Sequence, residues 1–290
     1  MKSKGIRPVS WLICINPADN LYCAMRLVTG LALSLLLFSC FSPKESRVEA
    51  QDAGKTPDAL IARLTAVMAD AQLPGTQCRV LAQSAADGAF FADLAACLAV
   101  DRHLWELVDK QHPLPAGYAP SDLVTLTGGS YQVSRAGLTL RQTAAAALEE
   151  MAAAARADGV TLVVSSAYRS YDYQAEVYSR VVREMGQEAA DRESARPGHS
   201  QHQTGLVADF GSIDDSFAQT AAGRWMAANA LRFGWSLSYP DGYENVTGYR
   251  WESWHFRYVG KDLAAFLDQY FDGIQQYALR FLYEWAVDAY

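Results

Sequence analysis

Two stretches of this chain carry the residue types of a hydrolytic metal site. In SQHQTGLVADF, residues 200–210, His202 and Asp209 lie seven positions apart. Gly205 can turn the chain between them, and Leu206-Val207-Ala208 can deliver Asp209 at the end of a short strand. In ESWHFRYVG, residues 252–260, His255 follows Glu252 by three positions. Two imidazoles and a carboxylate form a His2Asp set suited to a borderline-soft divalent ion. Three protein ligands leave a fourth position open, as a catalytic zinc requires. Glu252 is close enough to His255 to face the same ion without ligating it, where it could take a proton from an activated water. Taken singly, each residue has a plainer reading: a satisfied buried histidine, a turn carboxylate, a solvated glutamate. The combination is what points to a metal.

Positioning these groups requires short strands and flanking helices. Residues 57–70 place apolar side chains at helical spacing, and 94–108 do so again after an Ala/Gly-rich stretch. Residues 138–157, rich in Ala and Leu, predict a strong helix stopped by Asp158-Gly159. Residues 160–165 are a β-branched run and predict a buried strand; 172–185 read as a helix ending at Gly186. A polar loop is expected over 187–201, a short strand over 206–210, a helix over 217–231 and a strand over 254–259. The tail, 261–288, is helical and aromatic. Helices between short, separated strands predict an α+β fold with a small, mainly antiparallel sheet, carrying helical extensions at both ends. No glycine-rich strand-to-helix turn supports a dinucleotide fold. Ser165, Ser166 and Ser170 stand in no nucleophile-elbow context.

The paired motifs, Ser200-x-His202-x-x-Gly205-x-x-x-Asp209 followed by Glu252-x-Trp254-His255, resemble the signature of zinc D-alanyl-D-alanine carboxypeptidases of the vancomycin-resistance D,D-carboxypeptidase type (peptidase family M15). LVDKQHPLP at 107–115, the helix at 138–157, SSAYRSYDYQ at 165–174 and GYRWESWHFRYVG at 248–260 agree with it, so the resemblance covers about 104–262. It implies that His202, Asp209 and His255 bind one Zn2+, that Glu252 is the general base, and that Arg169 stabilises negative charge developing on the substrate. It implies, more weakly, that Ser200 and Gln174 line the cleft, and that Trp254 orients the Glu252/His255 segment. His199 has no ligand role in the pattern; His103 and His112 are structural or surface residues. Ser253 stands where proline is often found, a loss of rigidity and not of chemistry. The implied activity is removal of the terminal D-alanine from peptidoglycan stem peptides. L,D-carboxypeptidase, D,D-dipeptidase and endopeptidase activities use the same constellation, and a non-catalytic wall-binding lipoprotein is the alternative outside enzymes.

The front of the chain reads as targeting sequence. Residues 27–39 are apolar, follow Arg26 and end at Cys40. Thirteen residues make a helix of about 20 Å, short of the roughly 20 residues that cross a bilayer. Leu37-Phe38-Ser39-Cys40 looks like a lipoprotein signal, with Cys40 lipidated; an ordinary secretion signal, an uncleaved anchor or a buried segment are the alternatives. Residues 1–24 read as an over-long start before Met25, or else as an extended basic n-region. On this reading 1–39 is the signal, 40–56 a tether, 57–103 a helical extension, 104–262 the zinc peptidase domain and 263–290 a helical tail. The chain would be exported, held on the membrane by a lipid and monomeric, facing the periplasm or cell wall. Removing 1–39 takes away four basic side chains and one acidic one, so the formal charge of −7 becomes −10. Neither value offers a nucleic acid an electrostatic footprint. Cys78 and Cys97 could bridge in an oxidising compartment or remain two small hydrophobes.

Overall fold

The first helices begin where local chemistry lets them. In the computed structural model, which describes residue 52 and residues 55–86 and 88–287, Thr56 caps helix α1 (Pro57–Asp70) by accepting from the Ala59 N–H, and Pro57 occupies the first turn, where its missing donor costs nothing. The segment expected to be an export signal, Cys40 and most of the expected tether lie outside the described residues. Helices α2 (Gly75–Ala86) and α3 (Ala89–Ala99) follow. The helix expected over 94–108 instead starts earlier and stops at Ala99. Val100 is extended there, and the Asp101 carboxylate accepts from the His103 N–H, starting a separate 3-10 turn, Arg102–Trp105.

Seven strands are present among the described residues: β1 (Leu123–Thr125), β2 (Gln132–Val133), β3 (Thr139–Arg141), β4 (Val163–Ser166), β5 (Val207–Phe210), β6 (Trp235–Leu237) and β7 (His255–Tyr258). β1 and β3 form an antiparallel pair, and the others a five-stranded sheet in the order β2-β4-β5-β7-β6. Only β2–β4 is parallel within it, so the sheet is mainly antiparallel as expected. β1, β2, β3 and β6 are too short for an alternating pattern to be readable in sequence. Helix α4 (Gln142–Ala157) packs Leu148, Met151, Ala152 and Ala155 on this sheet, with Phe210, Trp235 and Phe256 in the same core. Helix α5 (Tyr171–Met185) is capped by Ser170. The expected loop over 187–201 begins with a short helix, α6 (Gln187–Glu193), entered through Gly186 at φ 84°. The helix expected over 217–231 is split: a 3-10 turn, Asp215–Gln219, then α7 (Ala221–Asn229) capped by Thr220, then a second 3-10 turn. Helix α8 (Glu244–Thr247) is a single turn.

The tail folds as α9 (Lys261–Phe271) and α10 (Gln275–Val287). These pack with α1–α3 around a second core, so segments nearly two hundred positions apart share one interior. Phe90 is its centre, with ring centroids 5.7 Å from Phe266, 5.1 Å from Tyr270 and 5.8 Å from Phe281. Cys78 and Cys97 are free thiols in this layer, not a bridge. Burial, then the charge of Asp262, pushes the Cys97 thiol up to about 12, as suits a small hydrophobe. The buried Arg257 on β7 links the two layers: its Nη2 donates to the carbonyls of His103, Leu104 and Glu106. No helix among the described residues is long and apolar enough to cross a membrane.

Candidate active site

Strand register brings the first two site residues together. Asp209 at the end of β5 pairs with His255 at the start of β7, and residues directly opposite in an antiparallel pair point to the same face. His202 arrives from the 3-10 turn Gln201–Thr204, whose exit needs Gly205 in the left-handed region at φ 71°. A side chain at Gly205 would also meet Arg141 Cγ at 2.9 Å and Leu123 Cδ2 at 3.0 Å. His202 Nδ1 lies 2.6 Å from the Ala167 carbonyl, an acceptor only, so Nδ1 carries the proton and Nε2 presents its lone pair.

That lone pair faces Asp209 Oδ2 at 3.2 Å, and Asp209 Oδ1 is 3.2 Å from His255 Nδ1. All three residues are buried, and their ligand atoms lie within 4.8 Å of one another. His202 Nε2 and Asp209 Oδ1 have no hydrogen-bond partner despite burial. Buried acceptors turned on one another are costly unless a cation lies between them. The donor set fits a single zinc ion: two imidazoles and one carboxylate, each imidazole supported at its other nitrogen.

The electrostatics agree. Burial, reinforced by the Arg169 charge, holds His202 down at about 4, in the neutral form a metal needs. Burial alone would raise the Asp209 carboxyl, but the two imidazoles outweigh it and hold it well below the usual range. Burial also disfavours charge on His255, yet Asp209 and Glu252 outweigh it and push it up to about 9, so among protein groups alone this ring carries the compensating proton. Glu252 Oε2 is 3.3 Å from His255 Nδ1, and burial raises its carboxyl above the ordinary range despite the attraction of His255.

Arg169 follows β4 and projects into the same centre. Its Nη2 donates to Asp209 Oδ2 at 3.4 Å and its Nη1 to Gln174 Oε1 at 2.8 Å. A cleft of about 320 Å3 opens over these groups, lined among others by Arg135, Ser166, Arg169, Arg180, Glu252 and Trp254. Ser200 and Gln174 stand behind that surface. Ser200 Oγ accepts from the His202 N–H, and fully buried Gln174 braces Arg169 while donating to the Ala195 carbonyl at 2.7 Å. His199 turns away, Nδ1 on the Asp109 carbonyl at 2.8 Å; His112 pairs with the Asp109 carboxylate and His103 with Tyr118.

Two residues of the site escape sequence reasoning. Tyr239 lays its ring 4.7 Å from the His255 ring, and its carbonyl accepts from the Glu252 N–H at 3.0 Å; nothing in its local sequence announces this. Arg250 lies over the Trp254 ring at 5.3 Å while pairing with Glu193 and Asp215, so the cleft wall is tied to α6. Arg250 could have been noticed, since it stands two positions before Glu252.

Three protein ligands for one ion, a buried glutamate at their side and a cationic cleft above define a zinc metallopeptidase centre. A family profile described as D-alanyl-D-alanine carboxypeptidase, VanY, matches residues 137–261. The YodJ protein of Bacillus subtilis is 38% identical over 184 residues, covering 59% of this chain and 67% of that protein. A D-alanyl-D-alanine carboxypeptidase of Enterococcus faecalis is 34% identical, covering 57% of this chain and 62% of the relative. Among solved structures, the LdcB LD-carboxypeptidase matches with a TM-score of 0.52 at 36% identity, covering 58% of this chain and 85% of that one. The vancomycin-resistance D,D-pentapeptidase VanY in complex with Zn(II) matches with a TM-score of 0.52 at 31% identity, covering 61% and 98%. The chain belongs to the VanY family of zinc D-alanyl-D-alanine carboxypeptidases.

Proposed function

We propose that this protein is a zinc-dependent D,D-carboxypeptidase that removes the terminal D-alanine from peptidoglycan stem peptides. The observation that carries the reading is the convergence of His202, Asp209 and His255 with the Glu252 carboxylate 3.3 Å from His255 Nδ1, at the base of a cleft. His202, Asp209 and His255 would hold the zinc, which when bound would supply positive charge to polarise the scissile carbonyl and acidify water. Glu252 takes the proton of the attacking water and returns it to the leaving amine; its upward-shifted carboxyl suits a group that must act first as base and then as acid. Arg169 offers a permanent positive charge to a substrate oxygen, held in place by Gln174 and Asp209. Ser200 and Gln174 support this centre from behind by bracing the His202 turn and Arg169.

A second reading, an L,D-carboxypeptidase, is favoured by the 36% identity to LdcB. Both are tested together by following D-alanine release from defined stem pentapeptides and tetrapeptides, with metal removed by a chelator and then restored. The D,D reading expects metal-dependent release from the pentapeptide and little from the tetrapeptide; the reverse preference gives the L,D activity. No release from either substrate would refute both.

On the sequence reading, the peptidase domain spans 104–262, with helical additions at 57–103 and 263–290, and the chain is exported and lipid-anchored at Cys40. Cys40→Ser should abolish lipid labelling and membrane retention. Unchanged partitioning would sink the anchor.

A further inference from the structure

The two histidines of the centre present opposite nitrogens, and they are held in that state by different means. His202 uses a backbone carbonyl of its own neighbourhood, Ala167. His255 faces Asp209 and Glu252 through Nδ1, so to ligate there it must carry its proton on Nε2 and donate it. The partner on that side is Gln201 Oε1, at 3.3 Å. An amide can hold either end toward a neighbour, so this contact fixes the ring only if the Gln201 amide is itself fixed.

It is fixed from the C-terminal helix. Gln201 Nε2 donates to Gln275 Oε1 at 3.2 Å, and Gln275 Nε2 donates to the Ser236 carbonyl at 3.3 Å. Ser238 Oγ also donates to Gln275 Oε1, at 3.4 Å. The Ser236 carbonyl can only accept, so it sets the direction of every bond in the series: Gln275 must turn its oxygen to Gln201, and Gln201 its oxygen to His255. Gln201, Ser236, Ser238, His255 and Gln275 are all buried, which leaves solvent no opportunity to substitute for a missing partner. Gln275 is the first residue of α10 and lies beyond the 137–261 segment that defines the family match.

We infer that Gln275 is a positioning residue for the metal centre: through Gln201 it holds His255 with its Nδ1 lone pair toward the ion, so the C-terminal helix sets metal affinity. The inference takes His255 as a zinc ligand, but needs no particular substrate. Its test is the equilibrium zinc dissociation constant, measured by competition with a chelator on the full-length protein. Gln275→Leu should weaken zinc about 10- to 100-fold, the usual consequence when a ligating histidine's outer partner, here Gln201, is no longer held in place. Gln276→Leu breaks a 2.7 Å bond from the same helix to Asp109 but leaves the relay intact, so it should leave zinc affinity unchanged. Gln201→Leu should weaken zinc as Gln275→Leu does, and the double variant should be no worse than Gln201→Leu alone, because the two act in one series. If Gln275→Leu does not fold, Gln275→Glu serves: as a buried neutral acid it can donate to Ser236 and accept from Gln201, and should hold zinc to within about threefold of wild type. Unchanged affinity in Gln201→Leu, equal losses in Gln275→Leu and Gln276→Leu, or a large loss in Gln275→Glu would each overturn the inference. Since the readout is zinc and not D-alanine, a wrong substrate assignment leaves this result intact.

Discussion

The sheet that carries the site and the helical layer behind it are built on different principles. The sheet layer is assembled from residues 123–258, and its charged groups converge: Asp209 on β5, His255 on β7 and His202 from the turn before β5. The helical layer is assembled from segments on either side of that stretch, α1–α3 with α9 and α10, and its core cluster is aromatic and aliphatic. At the site the first layer holds two buried acceptors without hydrogen-bond partners, His202 Nε2 and Asp209 Oδ1, a stability cost tolerated for chemistry; the second concentrates apolar burial. Arg257 and the Gln201–Gln275 contact join them.

This contrast can be broken in order of effect. Asp209→Ala removes the carboxylate between the two imidazoles, and should abolish stoichiometric zinc and lower turnover at least about 10^3-fold, measured by metal analysis alongside D-alanine release. The helical layer should respond in the opposite currency. Phe90→Ala, at the centre of its ring cluster, should cost about 3–5 kcal/mol in urea unfolding while the folded fraction keeps its zinc. A loss of zinc as complete as in Asp209→Ala would make the two layers one cooperative unit.

The smallest effect lies at the seam. Burial would raise the carboxyl of Asp109, but the backbone N–H of Gln111 and the ring of His112 outweigh it and hold it below its usual value of 3.8. A depressed carboxylate stabilises the fold above its unfolded value and loses that contribution as pH falls through the folded one. Asp109→Asn should therefore be less stable than wild type at neutral pH, by about 1–2 kcal/mol, with the difference closing below about pH 4 in unfolding titrations. A difference independent of pH would assign the effect to packing instead.

The sheet layer was legible in sequence because its chemistry is carried by rare residue types at tight spacing. His202, Gly205, Asp209, Glu252 and His255 stand in two short stretches, and antiparallel register completes their geometry. β1, β2, β3 and β6 were not legible: two or three residues hold no period. The helical layer showed its helices but not its partnership, because Phe90 gives no sign that Phe266 and Phe281 will surround it. Cys78 and Cys97 illustrate the same gap, since only three-dimensional placement decides between a bridge and two thiols. Gln275 and Tyr239 reach His255 from outside the two short stretches, and neither stands in a sequence pattern that announces it.

The most direct test of the account replaces one group and keeps the metal. Wild-type protein and Glu252→Gln, each holding one zinc per chain, are compared for D-alanine release from a stem pentapeptide. The account predicts chelator-sensitive release by the wild type and a fall of about 10^2- to 10^4-fold in the variant, the range expected on losing a general base. Full metal-dependent turnover by Glu252→Gln would contradict it.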